Sequence, residues 1–123
     1  MLFALVAAFV SFQLPSHNIG CIYTTAFAGV GPPNIRCDVR SGLTPRPRQT
    51  CTLDWTGLSM GLTGRAHPTC AGDTALMPKA PLLAYGRTWR RDGIVCRSQT
   101  TGLRCMNRSG HGFTLARGAW RTF

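Results

Sequence analysis

The stretch Gly57-Leu58-Ser59-Met60-Gly61 matches the G-x-S-x-G pattern of a nucleophile elbow, and Asp73 and His111 follow in the Ser, Asp, His order of an α/β-hydrolase. Such a triad would carry out acyl transfer, with the serine attacking and the histidine taking its proton. The elbow works only where a strand turns sharply into a helix, and GLSMGLTG places three glycines in eight residues where that helix would begin. An α/β-hydrolase also needs a large parallel sheet with crossover helices, which a 123-residue chain of this pattern does not supply. The phrase therefore reads as a glycine-rich loop with an accidental match. A small hydrolase using Ser59 or His111 ranks third among the functions considered, and the chain is expected to act without catalysis.

His67, Cys70, Asp73 and His111 are the residue types of a metal site. No C-x-x-C pair is present, and the His-x-x-Cys spacing lacks the second half of a zinc signature. Thiols destined for disulfides cannot serve as ligands, so no metal and no cofactor are expected. In SGHGF (109–113), His111 lies between two glycines, where an imidazole can approach a ligand closely; the plainer alternative is a tight turn whose histidine bonds to the backbone.

Two basic stretches are candidates for binding. In AYGRTWRRDG, strand periodicity would put Tyr85, Arg87, Trp89 and Arg91 on one face, able to stack rings and neutralise anionic groups, unless Tyr85 and Trp89 are packing residues. Arg90, Arg108 and His111 complete this candidate site for an anionic partner. The second stretch is TPRPRQT, whose prolines stiffen an exposed loop carrying Arg46 and Arg48. Stiffness lowers the ordering cost of binding, which suits a protein-binding module or protease inhibitor that presents residues 43–50.

The elements that hold these residues must be short strands. The chain has fourteen glycines and eight prolines, and past residue 15 no sustained helical repeat of apolar residues. Fourteen Lys plus Arg, thirteen of them Arg, stand against four Asp and no Glu, giving a net charge of +10 that attracts polyanions. The same arginine content also arises from a GC-rich genome without selection for binding. At the N-terminus, Leu2 to Val10 is an apolar run of signal-peptide length, too short for a span, with Val6-Ala7-Ala8 as a small-residue cleavage pattern. Residues 1–8 are read as the remnant of a signal peptide and 9–123 as one secreted domain; in the alternative, Phe9 to Gln13 is simply a first strand.

Six cysteines after an export-like segment imply disulfides, and the order along the chain suggests the pairing. IRCDVRSG (35–42) and LRCMNRSG (103–110) agree at five of eight positions. Each reads as the return strand of a hairpin, released into a turn by Ser-Gly. NIGCIYTT pairing with IRCDV would join Cys21 to Cys37. GIVCRS, a four-residue loop QTTG and LRCMN would join Cys96 to Cys105. Cys51 and Cys70 then pair by elimination. TLDWTG and LLAYGRTWRR are further strand candidates.

PSHNIGC, IRCDVRSG, CTLDW, CAGDTAL, LLAYGRTWRRDGIVCRS, TGLRCMNRSGHGF and LARGAWRTF together resemble an uncharacterised family of small secreted actinobacterial proteins, a domain of unknown function. The resemblance runs from residue 12 to the end and implies export and disulfides but no activity. It departs at His17, where a small residue such as Gly is expected, so that histidine inherits no role.

The expected fold is a small all-β, disulfide-stapled sandwich or partly open barrel. The expected function is a secreted or envelope-associated binding protein whose Arg-rich surface holds an anionic polymer or envelope component, without a transmembrane span; a protein partner for the Pro-Arg loop is the alternative.

Overall fold

The computed structural model describes residues 9–25 and 31–123. The proposed signal remnant, residues 1–8, and part of the first hairpin turn, 26–30, lie outside the described residues. Ten strands are present among the described residues: β1 (Phe9–Gln13), β2 (Ile19–Thr24), β3 (Asn34–Val39), β4 (Asp54–Gly61), β5 (His67–Ala71), β6 (Thr88–Arg91), β7 (Ile94–Gln99), β8 (Gly102–Met106), β9 (Gly112–Ala116) and β10 (Ala119–Thr122). They form two five-stranded antiparallel meanders, β1-β2-β3-β4-β5 and β10-β9-β8-β7-β6. The architecture is a sandwich and not a closed barrel.

Alternation along the strands explains why the sheets face each other. Inward positions such as Cys21, Tyr23, Ile35, Cys37, Leu58 and Met60 meet Ile94, Leu103, Cys105, Phe113 and Leu115 in one buried cluster. Trp89 packs on Phe12 and Tyr23, with ring centroids 5.0 and 5.6 Å apart. The Tyr23 hydroxyl donates to Asp92 at 2.7 Å. Burial and that carboxylate raise its pKa to about 12.

The repeated phrase occupies equivalent places in the two meanders. Cys21 lies directly opposite Cys37 on β2–β3, and Cys96 directly opposite Cys105 on β7–β8; both pairs are bonded and fully buried. Gly42 and Gly110, which end the two copies, both adopt positive φ (75° and 80°), the left-handed turn that glycine accepts without a Cβ clash. The third bridge, Cys51–Cys70, ties the Pro-Arg loop to β5 near the surface. Mild reductant under native conditions is therefore expected to open Cys51–Cys70 first, because a thiolate must reach the sulfur it attacks. Alkylation followed by peptide mapping checks this; labelling of Cys96 or Cys105 before Cys70 would contradict it.

Three local expectations are corrected. GLSMG is not a loop but the second half of β4. Gly57 sits at the bulge between Trp55 and Gly57, and a Cβ there would run into the Cys37 carbonyl oxygen. The β7–β8 connection is tighter than QTTG: Gln99 already pairs with Gly102, leaving Thr100-Thr101 as a two-residue turn. The stretch LLAYGRTWRR becomes a strand only at Thr88. His17, where the family pattern suggested a small residue, has φ 60°, a conformation that normally favours glycine, and its Nδ1 bonds to Gln13 at 2.8 Å.

The two meanders are joined by a strap. From β5 the chain crosses the outer face of the first sheet to reach β1, then enters β6. The Ala75 amide donates to the buried Asp38 carboxylate at 2.8 Å, Leu76 lies over Gly20, and Gln13 Nε2 donates to the Pro78 and Ala80 carbonyls. Arg36 clamps the start of the strap, reaching Asp38 at 2.9 Å and Asp73 at 2.8 Å. Burial opposes charge on Arg36, but its hydrogen bonds to Asp38 and Asp73 outweigh that and raise its pKa. The hydrogen bonds and charge of Arg36 lower that of Asp73 in turn. The Gly20 of NIGC thus lies on β2 beneath the strap, and the Asp73 of CAGDT lies at the start of it.

Candidate functional site

The proposed triad is dispersed. Ser59 is buried and its hydroxyl shares a hydrogen bond with Thr69 at 2.6 Å, Asp73 serves Arg36, and His111 Nδ1 faces the Phe123 main-chain oxygen at 3.2 Å. Each group has a different partner: Ser59 lies on β4 opposite Arg36, the residue that holds Asp73, while His111 sits in the β8–β9 turn. The metal set separates likewise: Cys70 is in a disulfide, and no cluster of three or more ligating side chains exists among the described residues.

The basic candidates fare unevenly. Tyr85 and Arg87 sit in the turn before β6, so they do not share a strand face with Trp89, whose ring is in the core. Arg91 lies 3.9 Å from Asp92, and Arg108 donates to the Asp92 carbonyl at 2.9 Å. Arg90 points to solvent. Arg46 and Arg48 are exposed on the Pro-Arg loop, as expected of it.

The residues that do come together were not grouped by the sequence. Antiparallel register places Thr88, Arg97, Arg104, Thr114 and Arg121 in one row across β6, β7, β8, β9 and β10, on the outer face of the second sheet. Arg97, Arg104 and Arg121 are all exposed. Arg97 and Arg104 are directly opposite, with Cα atoms about 5.5 Å apart for the wide pair that flanks a close cysteine pair. From Arg97 to Arg121 is three strand spacings, about 14 Å. Arg90, on the neighbouring row, adds a fourth cation.

No carboxylate meets this row among the described residues. Asp38 and Asp73 are held by Arg36, Asp92 by Tyr23 and Arg91, and ion pairs involve only Arg36 and Arg91 among the cations. Like charges directly opposite on a sheet destabilise it. Part of that cost is offset by Phe123, whose ring lies 4.7 Å from the Arg104 guanidinium carbon and 6.0 Å from that of Arg121. Gly112 is required first because a Cβ there would run into the Cys105 carbonyl oxygen, and the same bare position leaves room for the Phe123 ring edge. The final aromatic and the second glycine of SGHGF therefore build the arginine face.

Asn107 anchors the neighbouring turn. Buried in NRSGH, its side chain donates to the Gly61 and Gly64 carbonyls at 3.2 and 2.8 Å and accepts from the Ser109 amide, the Ser109 hydroxyl and the His111 amide. It locks the β8–β9 turn of one sheet to the β4–β5 turn of the other, and the imidazole of His111 ties that turn to the Phe123 main-chain oxygen just past β10.

Fold and site together define a small, disulfide-stapled β-sandwich with an unneutralised arginine row on one outer face. The chain belongs to the family of unknown function DUF6636, which matches residues 2–123. Neither the curated proteins nor the solved structures contain a match to it. No helix among the described residues is long and apolar enough to cross a membrane.

Proposed function

We propose that this is a non-enzymatic, extracytoplasmic binding protein that holds an anionic polymer against the outer face of the second sheet through Arg90, Arg97, Arg104 and Arg121. The observation that carries the reading is the direct opposition of Arg97 and Arg104 with no ion-pair partner for either among the described residues, an arrangement that lowers stability and is relieved when an anion lies between the two guanidinium groups. The row is exposed and extends across four strands, which suits an extended polymer more than a small molecule. Three disulfides in so small a domain support an oxidising compartment. Titration into a DNA duplex, an acidic polysaccharide and anionic vesicles from low to physiological salt tests the reading. Affinity should fall steeply with salt; absence of binding at low salt to all three would end it.

The Pro-Arg loop supports a second reading as a protein-binding module or inhibitor. The Trp120 indole donates to the Pro45 carbonyl at 2.6 Å, the Leu43 amide donates to the Trp55 carbonyl at 2.9 Å, and Cys51 closes the loop. Arg46 and Arg48 are thus presented from a fixed frame. Tight, salt-tolerant inhibition of a trypsin-like protease would favour this reading over the first.

A further inference from the structure

We infer that the cleft between the Pro-Arg loop and β10 is a subsite for a carboxylate-bearing sugar ring, so that the polymer is an acidic polysaccharide; this rests on the anion-binding reading above. The cleft has a volume of about 530 Å³ and is lined by Arg46, Arg48, Gln49, His67, Trp120 and Thr122, among others. Two arginines and a histidine are among the lining residues, and no acidic residue is. The indole N–H of Trp120 is already committed to Pro45, so the ring contributes a half-buried apolar wall whose orientation is fixed by the loop it holds. A sugar acid has the complementary make-up, with apolar ring faces for the indole, a planar carboxylate for a guanidinium fork, and hydroxyls for Gln49 and Thr122.

The loop needs little ordering on binding. Ser41 Oγ donates to the Arg117 carbonyl at 3.1 Å, which ties the start of the loop to the β9–β10 turn, while the Cys51–Cys70 bridge fixes its end beside β5. The cleft also continues the arginine row. Trp120 and Arg121 are successive residues of the edge strand β10 and point to opposite sides, so a polymer leaving Arg104 and Arg121 over that edge arrives at Trp120. A single-stranded nucleic acid is less well served. The outer face offers no row of open aromatic rings for successive bases, since Phe123 lies against Gly112 with the Arg104 guanidinium over it.

The test is calorimetric binding of a uronic-acid trisaccharide to the oxidised chain, with a neutral trisaccharide, a hexanucleotide and a long uronic-acid polymer in parallel. The expected result is that the acidic trisaccharide binds, the neutral one does not, the hexanucleotide fails to displace it, and Arg46→Gln and Arg48→Gln each weaken it by about tenfold. If the long polymer binds but the trisaccharide does not, the cleft assignment is wrong and the arginine row stands. If the trisaccharide binds equally well to both variants, or the hexanucleotide displaces it at equal concentration, the sugar subsite is likewise overturned. If neither trisaccharide nor polymer binds, the sugar subsite is overturned, and the anion-binding reading falls with it only when the DNA duplex and the anionic vesicles also fail to bind at low salt.

Discussion

Asn107→Ala is expected to lower stability by about 3 kcal/mol, the sum of several modest hydrogen bonds and of carbonyl and amide groups left without partners where water has poor access. The side chain makes five hydrogen bonds while only 3% exposed, and its two donor bonds reach 46 and 43 residues back along the chain. The truncation therefore removes a joint between the sheets as well as the frame of the β8–β9 turn. Asn107→Asp keeps the acceptor but turns a carboxylate oxygen toward the Gly61 and Gly64 carbonyls, so it should be no better tolerated at neutral pH. Thermal unfolding checks both: a midpoint drop of roughly 10 °C is expected for the alanine variant of a chain this size. A drop of only 1 or 2 °C would mean that solvent replaces the side chain and that the turn holds itself.

The second large effect is expected at Asp38, which is 1% exposed and accepts from Arg36 and from the Ala75 amide of the strap. Removing the buried carboxylate leaves Arg36 with Asp73 as its remaining acid partner and the Ala75 amide with no acceptor, at a cost of about 1 to 3 kcal/mol. Asp38→Ala should loosen the strap before the sandwich fails. Exchange of the Ala75 amide and proteolytic cleavage within 72–80 should rise ahead of global unfolding. Asp38→Asn, whose carbonyl oxygen can still accept from Ala75, should recover strap protection in part. Equal global destabilisation by both variants, without selective exposure of the strap, would show that Asp38 supports the core rather than the crossover.

What was legible in the sequence follows from how local each cause is. The pairings Cys21–Cys37 and Cys96–Cys105 could be read because a hairpin register is set within a few residues of its turn, and the bridge Cys51–Cys70 followed once they were placed. Arg-Ser-Gly at the end of each repeat could be read because a glycine turn is a local event. The Asp92-Gly93 dipeptide carries an equally local hairpin signal; both residues have positive φ, and Arg91 pairs with Ile94. The GLSMG phrase misled because glycine has two meanings: its composition says loop, yet Gly57 is required inside a strand where a neighbouring backbone comes too close for any side chain.

The arginine face was not legible. Arg97, Arg104 and Arg121 become neighbours only through three successive strand registers, and the sheet order that brings β10 beside β9 is not written at any one position. The AYGRTWRR run attracted attention because its aromatic and basic residues are adjacent in sequence, but the core claims Trp89 and the turn claims Arg87. Asn107 was hidden for the same reason as the arginine row, since its donor partners lie on the opposite sheet. The final Phe123 falls within LARGAWRTF, one of the stretches that resemble the family, whereas its place beside Arg104 depends on Gly112 and on the main-chain bonds between residues 112 and 123.

The most direct test is the salt dependence of binding to a labelled DNA duplex, used as a polyanion of known charge density. The wild-type chain is compared with Arg97→Gln/Arg104→Gln/Arg121→Gln and with a variant of equal net charge, Arg65→Gln/Lys79→Gln/Arg117→Gln. Each phosphate contact contributes about 0.9 to the slope of log affinity against log salt. Losing the row should therefore flatten the slope by about 2 to 3, whereas the control triple, spread over exposed sites elsewhere, should leave it close to that of the wild type. If the two triples flatten the slope equally, the attraction belongs to net charge and the arginine row is not a site.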